Sequence, residues 1–184
     1  MMTRGNKGRP DAAGPADQAG APPTRDAAEQ GGAPQAQDGA AQRAREIVDS
    51  LFRDDRASRA LGIEILEVGP GRVRIAMTVR PDMVNGFGMC HGGIVFAFAD
   101  SAFAFACNSR GDPMVAAGAS IEFLAPTPLG ARLTATATET SRNERHGIYD
   151  VSIASASGTA IAHFRGRCAR YKPVNPGGSS GAGA

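Results

Sequence analysis

The run Ile94–Cys107, IVFAFADSAFAFAC, constrains this chain more than any other feature. Twelve of its fourteen residues are apolar, and they fall on every side of a helical projection. Its five alanines favour helix over strand. A helix with no polar face must be covered all round. The run is too short for a bilayer, which takes about 20 apolar residues. It therefore belongs inside a protein core.

The flanking sequence supplies a sheet to cover it. Val73, Ile75, Met77 and Val79 alternate with Arg72, Arg74, Ala76, Thr78 and Arg80, the period-two pattern of a half-buried strand. Ile63 and Ile65 lead into the turn Gly69-Pro70-Gly71, a strand closing in a tight connection. After the helix, Val115, Ala117, Ala119, Ile121 and Phe123 share one face, ahead of Pro126 and Pro128. Leu133, Ala135 and Ala137 form the next such set, then Tyr149, Val151 and Ile153, then Ala160, Ala162, Phe164 and Cys168. The short connections predict that these four strands form a meander of antiparallel neighbours. The fold class is α+β: one long buried helix wrapped by a curved antiparallel sheet of five to six strands. Ile47, Leu51, Phe52 and Leu61 predict an amphipathic N-terminal helix from Arg45 to about Ala60, ended by Gly62.

Composition sets the domain limits. Residues 1–43 hold 28 Ala, Gly, Pro and Gln and no Val, Ile, Leu, Phe, Tyr or Cys. Such a segment cannot bury enough apolar surface to offset its ordering entropy. We expect a disordered tail over 1–43, a single domain over 44–172, and a second tail over 173–184. The tail's acids and bases balance, so the net charge of +2 lies in the domain. There is no basic run interleaved with aromatics, which argues against nucleic acid as a partner. No apolar stretch follows Arg4, Lys7 and Arg9, so no secretory signal is expected, and no run is long enough to make a membrane a partner. Cys90, Cys107 and Cys168 are odd in number and without a CxxC pair. They predict reduced thiols in the cytoplasm rather than disulfides. His146 and His163 have no companions at ligand spacing, so no metal is expected.

Asp100 breaks the apolar helix. A carboxylate there is costly to bury and has its pKa raised, and such groups cluster at active sites. Cys90-His91-Gly92-Gly93 stands at the start of the same helix. The glycines let a ligand approach the backbone, and the first helical N–H groups are unpaired and electropositive. That is a site for a carbonyl oxygen becoming an oxyanion. Gly92 and Asp100 are eight residues apart, about 12 Å along one helix, too far to act on one carbonyl carbon. If they cooperate, they come from two chains, with two helices antiparallel across a two-fold axis. A homodimer with composite sites also explains a helix that is apolar all round. Cys90–His91 is a poor nucleophile pair, because sequence neighbours point apart and no third group orients them.

The strings Asn85–Gly93 (NGFGMCHGG), Phe98–Ala104 (FADSAFA) and Ala106–Ser109 (ACNS) resemble the hotdog-fold acyl-CoA thioesterases of phenylacetic acid degradation. So do Ile121–Pro126, Gly147–Val151 and Phe164–Gly166, and the resemblance runs from about Ile47 to Arg170. It implies that Asp100 is the catalytic carboxylate, as general base or nucleophile. It implies that the Gly92 N–H polarises the thioester carbonyl, and that Asn85 orients water or substrate in the active-site loop. His91, Gly93 and Ser101 are the expected substrate-contacting residues, with a structural role for His91 equally open and helix packing the main one for Gly93. The family's substrate is phenylacetyl-CoA or a ring-hydroxylated relative, hydrolysed to the free acid and coenzyme A in a salvage step of aromatic acid degradation. Its assembly is a homotetramer of two dimers, and no cofactor is implied, because coenzyme A belongs to the substrate. Two alternatives stay open: a hotdog thioesterase for another aryl or medium-chain acyl-CoA, and an acyl-CoA-binding protein without turnover. Arg110, Arg142, Arg145, Arg165 and Arg167 are the candidates for the coenzyme's phosphates, and the sequence does not choose among them.

Overall fold

The computed structural model describes residues 34–172. Helix α1 spans Pro34–Asp54 and a one-turn helix, α2, spans Arg56–Ala60. Strands β1 (Glu64–Gly69) and β2 (Arg72–Thr78) follow, then helix α3 (Gly92–Asn108). Strands β3 (Met114–Phe123), β4 (Arg132–Arg142), β5 (His146–Ser155) and β6 (Ala160–Arg170) complete the domain. The six strands form one antiparallel sheet in the order β1-β2-β4-β5-β6-β3. Among the described residues, no helix is long and apolar enough to cross a membrane.

The α+β expectation holds, and α3 lies across the inner face of the sheet. The alternating residues of each strand point at it: Val73, Ile75 and Met77 from β2, Leu133, Ala135 and Ala137 from β4, Tyr149, Val151 and Ile153 from β5, and Phe164 and Cys168 from β6. They enclose Phe98, Phe103, Phe105 and the small residues between them. Each large side chain so buried contributes about 1.5–3 kcal/mol. The ring of Phe103 lies directly on Gly166, where a Cβ would sit 2.8 Å from three of its atoms. Its centroid is 5.8 Å from that of Tyr149 and 5.9 Å from that of Phe164.

Three details differ from the sequence expectation. The N-terminal helix starts at Pro34, inside the segment assigned to the tail, and residues 1–33 and 173–184 lie outside the described part. Proline is pre-shaped for a first helical turn, and the Ala- and Gln-rich stretch after it has high helix propensity. The helix also breaks at Asp55, which caps α2 by accepting from the Ser58 N–H at 3.0 Å. Its buried stripe is Ala44 and Val48, with Phe52 packed edge-on against Phe105, while Leu51 is exposed. Finally, β3 is not beside β4 but at the far edge of the sheet, paired with β6. Pro126 and Pro128 have no N–H, so neither can donate to a ladder that would continue β3 against β4. The connection instead holds the segment before α3, through Cys90 N–H to Thr127 C=O at 2.8 Å and a bridge between Met89 and Pro128.

Candidate active site

The start of α3 is a built structure. Asn85 accepts at Oδ1 from the N–H groups of Phe87 (2.9 Å) and Met89 (3.3 Å), and its own N–H donates to Met89 C=O at 2.8 Å. Gly88 completes the loop at φ +74°, where an L side chain would be strained. His91 N–H then donates to Met83 C=O at 2.8 Å. Asn85 therefore shapes the loop that delivers His91 and the two glycines. Its Oδ1 is used in doing so, and its Nδ2 has no acceptor among the described residues.

His91 is the N-cap of α3, and its Nδ1 accepts from the Gly93 N–H at 2.9 Å. Accepting there requires the neutral ring with its proton on Nε2. Of the two glycines in the motif, Gly93 thus has its N–H satisfied. Gly92, one residue earlier, has no acceptor for its N–H among the described residues. The positive end of the helix presents that one free donor. Beside it is a pocket of about 320 Å³, lined chiefly by Met89, Val95, Phe123, Leu124, Pro126 and Thr127. The Phe123 ring closes over Gly92, with Cζ 3.3 Å from where a Cβ would stand. The alternation of β3 places Phe123 on an apolar strand face; only the fold brings it to Gly92.

Asp100 lies more than two helical turns along. It is half-buried and has neither hydrogen bond nor ion pair among the described residues, and burial pushes its carboxyl above the usual aspartate range. The helix is not enclosed on every side within the chain. Gly93, Phe96, Ala97, Asp100 and Ala104, at helical spacing, are left exposed or half-exposed. The sheet covers the opposite face. Ser101, a further 100° around the helix, faces elsewhere. Its hydroxyl is 3.0 Å from Ala97 C=O and 2.8 Å from the Ser58 hydroxyl, which itself donates to Asp55. It ties α3 to α2. The structure thus brings Asn85, His91, Gly92 and Gly93 together and leaves Asp100 and Ser101 apart from them.

All three thiols are buried. Burial pushes the Cys90 thiol up, and the neighbouring Cys168 together with burial raises that of Cys107, while the Cys168 thiol is lowered by the same neighbour. Of the five candidate arginines, three are committed to ion pairs: Arg110 to Glu139 at 2.9 Å, Arg142 to Asp112 at 2.6 Å, and Arg165 to Asp150 at 2.6 Å. Arg145 and Arg167 enter none among the described residues.

One long apolar helix lying across a six-stranded antiparallel sheet is the architecture of the hotdog fold. Residues 87–162 match the Thioesterase superfamily, and the chain belongs to that family, in its phenylacetic-acid-degradation branch of acyl-CoA thioesterases. It is 38% identical over 130 residues to the acyl-coenzyme A thioesterase PaaI of Escherichia coli K12, covering 71% of this chain and 93% of that one. The solved structure of the E. coli PaaI protein superposes with a TM-score of 0.72 at 37% identity, over 73% of this chain and 98% of that one. A variant of the phenylacetic acid degradation protein PaaI from Thermus thermophilus superposes with a TM-score of 0.61 at 38% identity, over 64% of this chain and all of that one.

Proposed function

We propose that this protein hydrolyses phenylacetyl-CoA or a ring-hydroxylated phenylacetyl-CoA to the free acid and coenzyme A, in sites shared between two copies of the chain. The observation that carries this reading is the division of labour along α3: a free donor at Gly92 and an unpaired carboxylate at Asp100, about 12 Å away. The thioester carbonyl oxygen accepts from the Gly92 N–H of one chain. Asp100 of the other chain takes a proton from water, the hydroxide adds to the carbonyl carbon, and the negative charge collects on the oxygen held at Gly92. Collapse breaks the C–S bond, and the proton returns to the departing thiolate. Direct attack by the carboxylate would give an anhydride that water then opens, with the same balance. One oxyanion donor is worth roughly 10²–10³ in rate.

Two features of the single chain support pairing. The uncovered stripe on α3 contains Asp100, and β3 is a sheet edge with Val115 and Phe123 exposed, Phe123 to 55%. Such an edge is a template for another strand. A two-fold axis beside β3 extends the sheet and sets two α3 helices antiparallel. Asn85 and His91 hold the loop in this reading, and Gly93 lets it turn closely into the helix. By the family resemblance, two such dimers form a tetramer working in the cytoplasm, with no group needed beyond substrate and water. Thiol release from phenylacetyl-CoA by the purified protein is the test. Asp100→Asn is expected to lose most of kcat, and unchanged kcat in that variant would overturn the mechanism.

A further inference from the structure

Thr127 is built into the wall of the pocket beside Gly92, and its hydroxyl has no use within the chain. The residue is 3% exposed. Among the described residues, its Oγ1 is the one buried side-chain oxygen or nitrogen without a hydrogen-bond partner. The segment that carries it is stiff. Pro126 and Pro128 stand on both sides, and each has its φ fixed by its ring. A residue before proline is held extended, and a β-branched side chain has few χ1 choices. The Thr127 C=O accepts from the Cys90 N–H at 2.8 Å, and Met89 bridges to Pro128, so the segment is pinned to the loop that leads into α3. The hydroxyl therefore has little freedom to swing toward a partner. Behind the segment is a second cleft, toward the β5–β6 turn. The hydroxyls there are spent on one another, Ser155 with Ser157 at 2.8 Å and Ser157 with Thr159 at 3.1 Å.

We infer that Thr127 is a specificity-determining residue, whose hydroxyl forms a hydrogen bond with a ring hydroxyl on the substrate's aryl group. The inference rests on the thioesterase reading. A thioester whose carbonyl oxygen is held at the Gly92 N–H has its acyl group beside that glycine, where the pocket of about 320 Å³ opens. An apolar cavity of roughly 150 Å³ already takes a benzene ring. Met89, Val95, Phe123, Leu124 and Pro126 offer such a ring apolar walls. Besides Thr127, the other polar side chain in the lining is Cys90, a weak donor whose Sγ lies 3.8 Å from His91 C=O. An unsubstituted ring leaves the Thr127 hydroxyl as unpaired in the complex as it is in the free protein. A ring hydroxyl supplies the missing partner, and since each hydroxyl both donates and accepts, either one can be the donor. A site built around a substrate hydroxyl discriminates against the analogue that lacks it, because its own buried polar group is then left unpaired.

The test compares kcat/KM for phenylacetyl-CoA and for its ring-monohydroxylated isomers in the full-length wild type, Thr127→Val and Thr127→Ser. Valine keeps nearly the same shape and removes the hydroxyl; serine keeps the hydroxyl. The wild type should prefer one ring isomer over phenylacetyl-CoA. That preference should fall roughly tenfold in Thr127→Val, chiefly through KM, and Thr127→Ser should retain it. No preference for any isomer in the wild type, or the same preference in Thr127→Val, overturns the assignment. Thermal melting gives a second readout. Removing a buried hydroxyl that has no partner should leave the ligand-free Tm equal or higher. A clear drop would show that the hydroxyl already has a partner in the assembly, and also overturns the assignment. Phenylethyl-CoA thioether and its ring-hydroxylated forms cannot be hydrolysed, and are titrated into the same three proteins in a calorimeter. If the wild type hydrolyses none of the thioesters, the proposed function fails, while the order of thioether affinities still decides the role of Thr127.

Discussion

Gly92→Pro separates the N–H at position 92 from everything else glycine does there. Residue 92 is the first residue of α3, where proline is well tolerated. The residue before it, His91, already has φ −64° and ψ 134°, the extended conformation that a following proline demands. The Gly92 N–H has no acceptor within the protomer among the described residues, so no internal bond is lost. The Phe123 ring, 3.3 Å from the Cβ position, has to give by a few tenths of an ångström. Stability should change little, while loss of one oxyanion donor should lower kcat roughly 10²–10³-fold, or about 2.7–4 kcal/mol. The decisive step mixes this variant with Asp100→Asn after reversible dissociation. In a mixed dimer, one site takes its Gly92 from the chain carrying Asp100→Asn and its Asp100 from the chain carrying Gly92→Pro, and is intact. The other site lacks both groups. Random pairing makes half of all dimers mixed, each with one of two sites working, so about one quarter of wild-type activity should return. The assay is thiol release at saturating phenylacetyl-CoA, with native mass spectrometry confirming the mixed dimers. Mixed dimers with no regained activity, or a Gly92→Pro homodimer with normal kcat, would refute the shared site.

The packing around α3 gives two more predictions. Burial raises the Asp100 carboxyl above its ordinary value, so the folded state favours the protonated form. The associated stability is fully present below the unfolded-state value of about 3.9 and is lost as pH rises through the folded one. Asp100→Asn should therefore melt higher than wild type at neutral pH, with the gap closing on acidification; a gap that widens in acid would contradict the sign. The acid limb of the wild-type pH–rate profile should also lie above the usual aspartate range. At the other side of the helix, Gly166→Ala forces a Cβ to within 2.8 Å of three Phe103 ring atoms, overpacking that costs about 1–3 kcal/mol. Phe103→Leu in the same chain should recover part of that loss in chemical denaturation, and strictly additive losses would argue against this contact.

Much of the domain can be read from local pattern. The alternation in β2, β4, β5 and β6 assigns their inner faces, because the side-chain period of a strand is a property of the backbone. The apolar run assigns α3, and Gly62 ends the N-terminal helices, at φ +72°. Three things lie outside that alternation. One is the place of β3 beside β6, a pairing that runs from Met114 opposite Arg170 to Phe123 opposite Ala162. Another is the break at Asp55, where a capping bond competes with continued helix. The last is the direction of Ser101, which its neighbour Asp100 cannot reveal, since adjacent helical residues point about 100° apart.

The site divides in the same way. The sequence alone determines that Gly92 and Asp100 stand about 12 Å apart, because helix rise is set by covalent geometry and hydrogen bonding. The need for two chains, if both act on one carbonyl, follows from that. Only the tertiary structure decides which glycine N–H is free, because His91 folds back to occupy the one at Gly93. It also decides which arginines remain available, because their partners Glu139, Asp112 and Asp150 arrive from other parts of the chain. A donor's availability depends on what else has reached it, and only the folded chain brings those groups together.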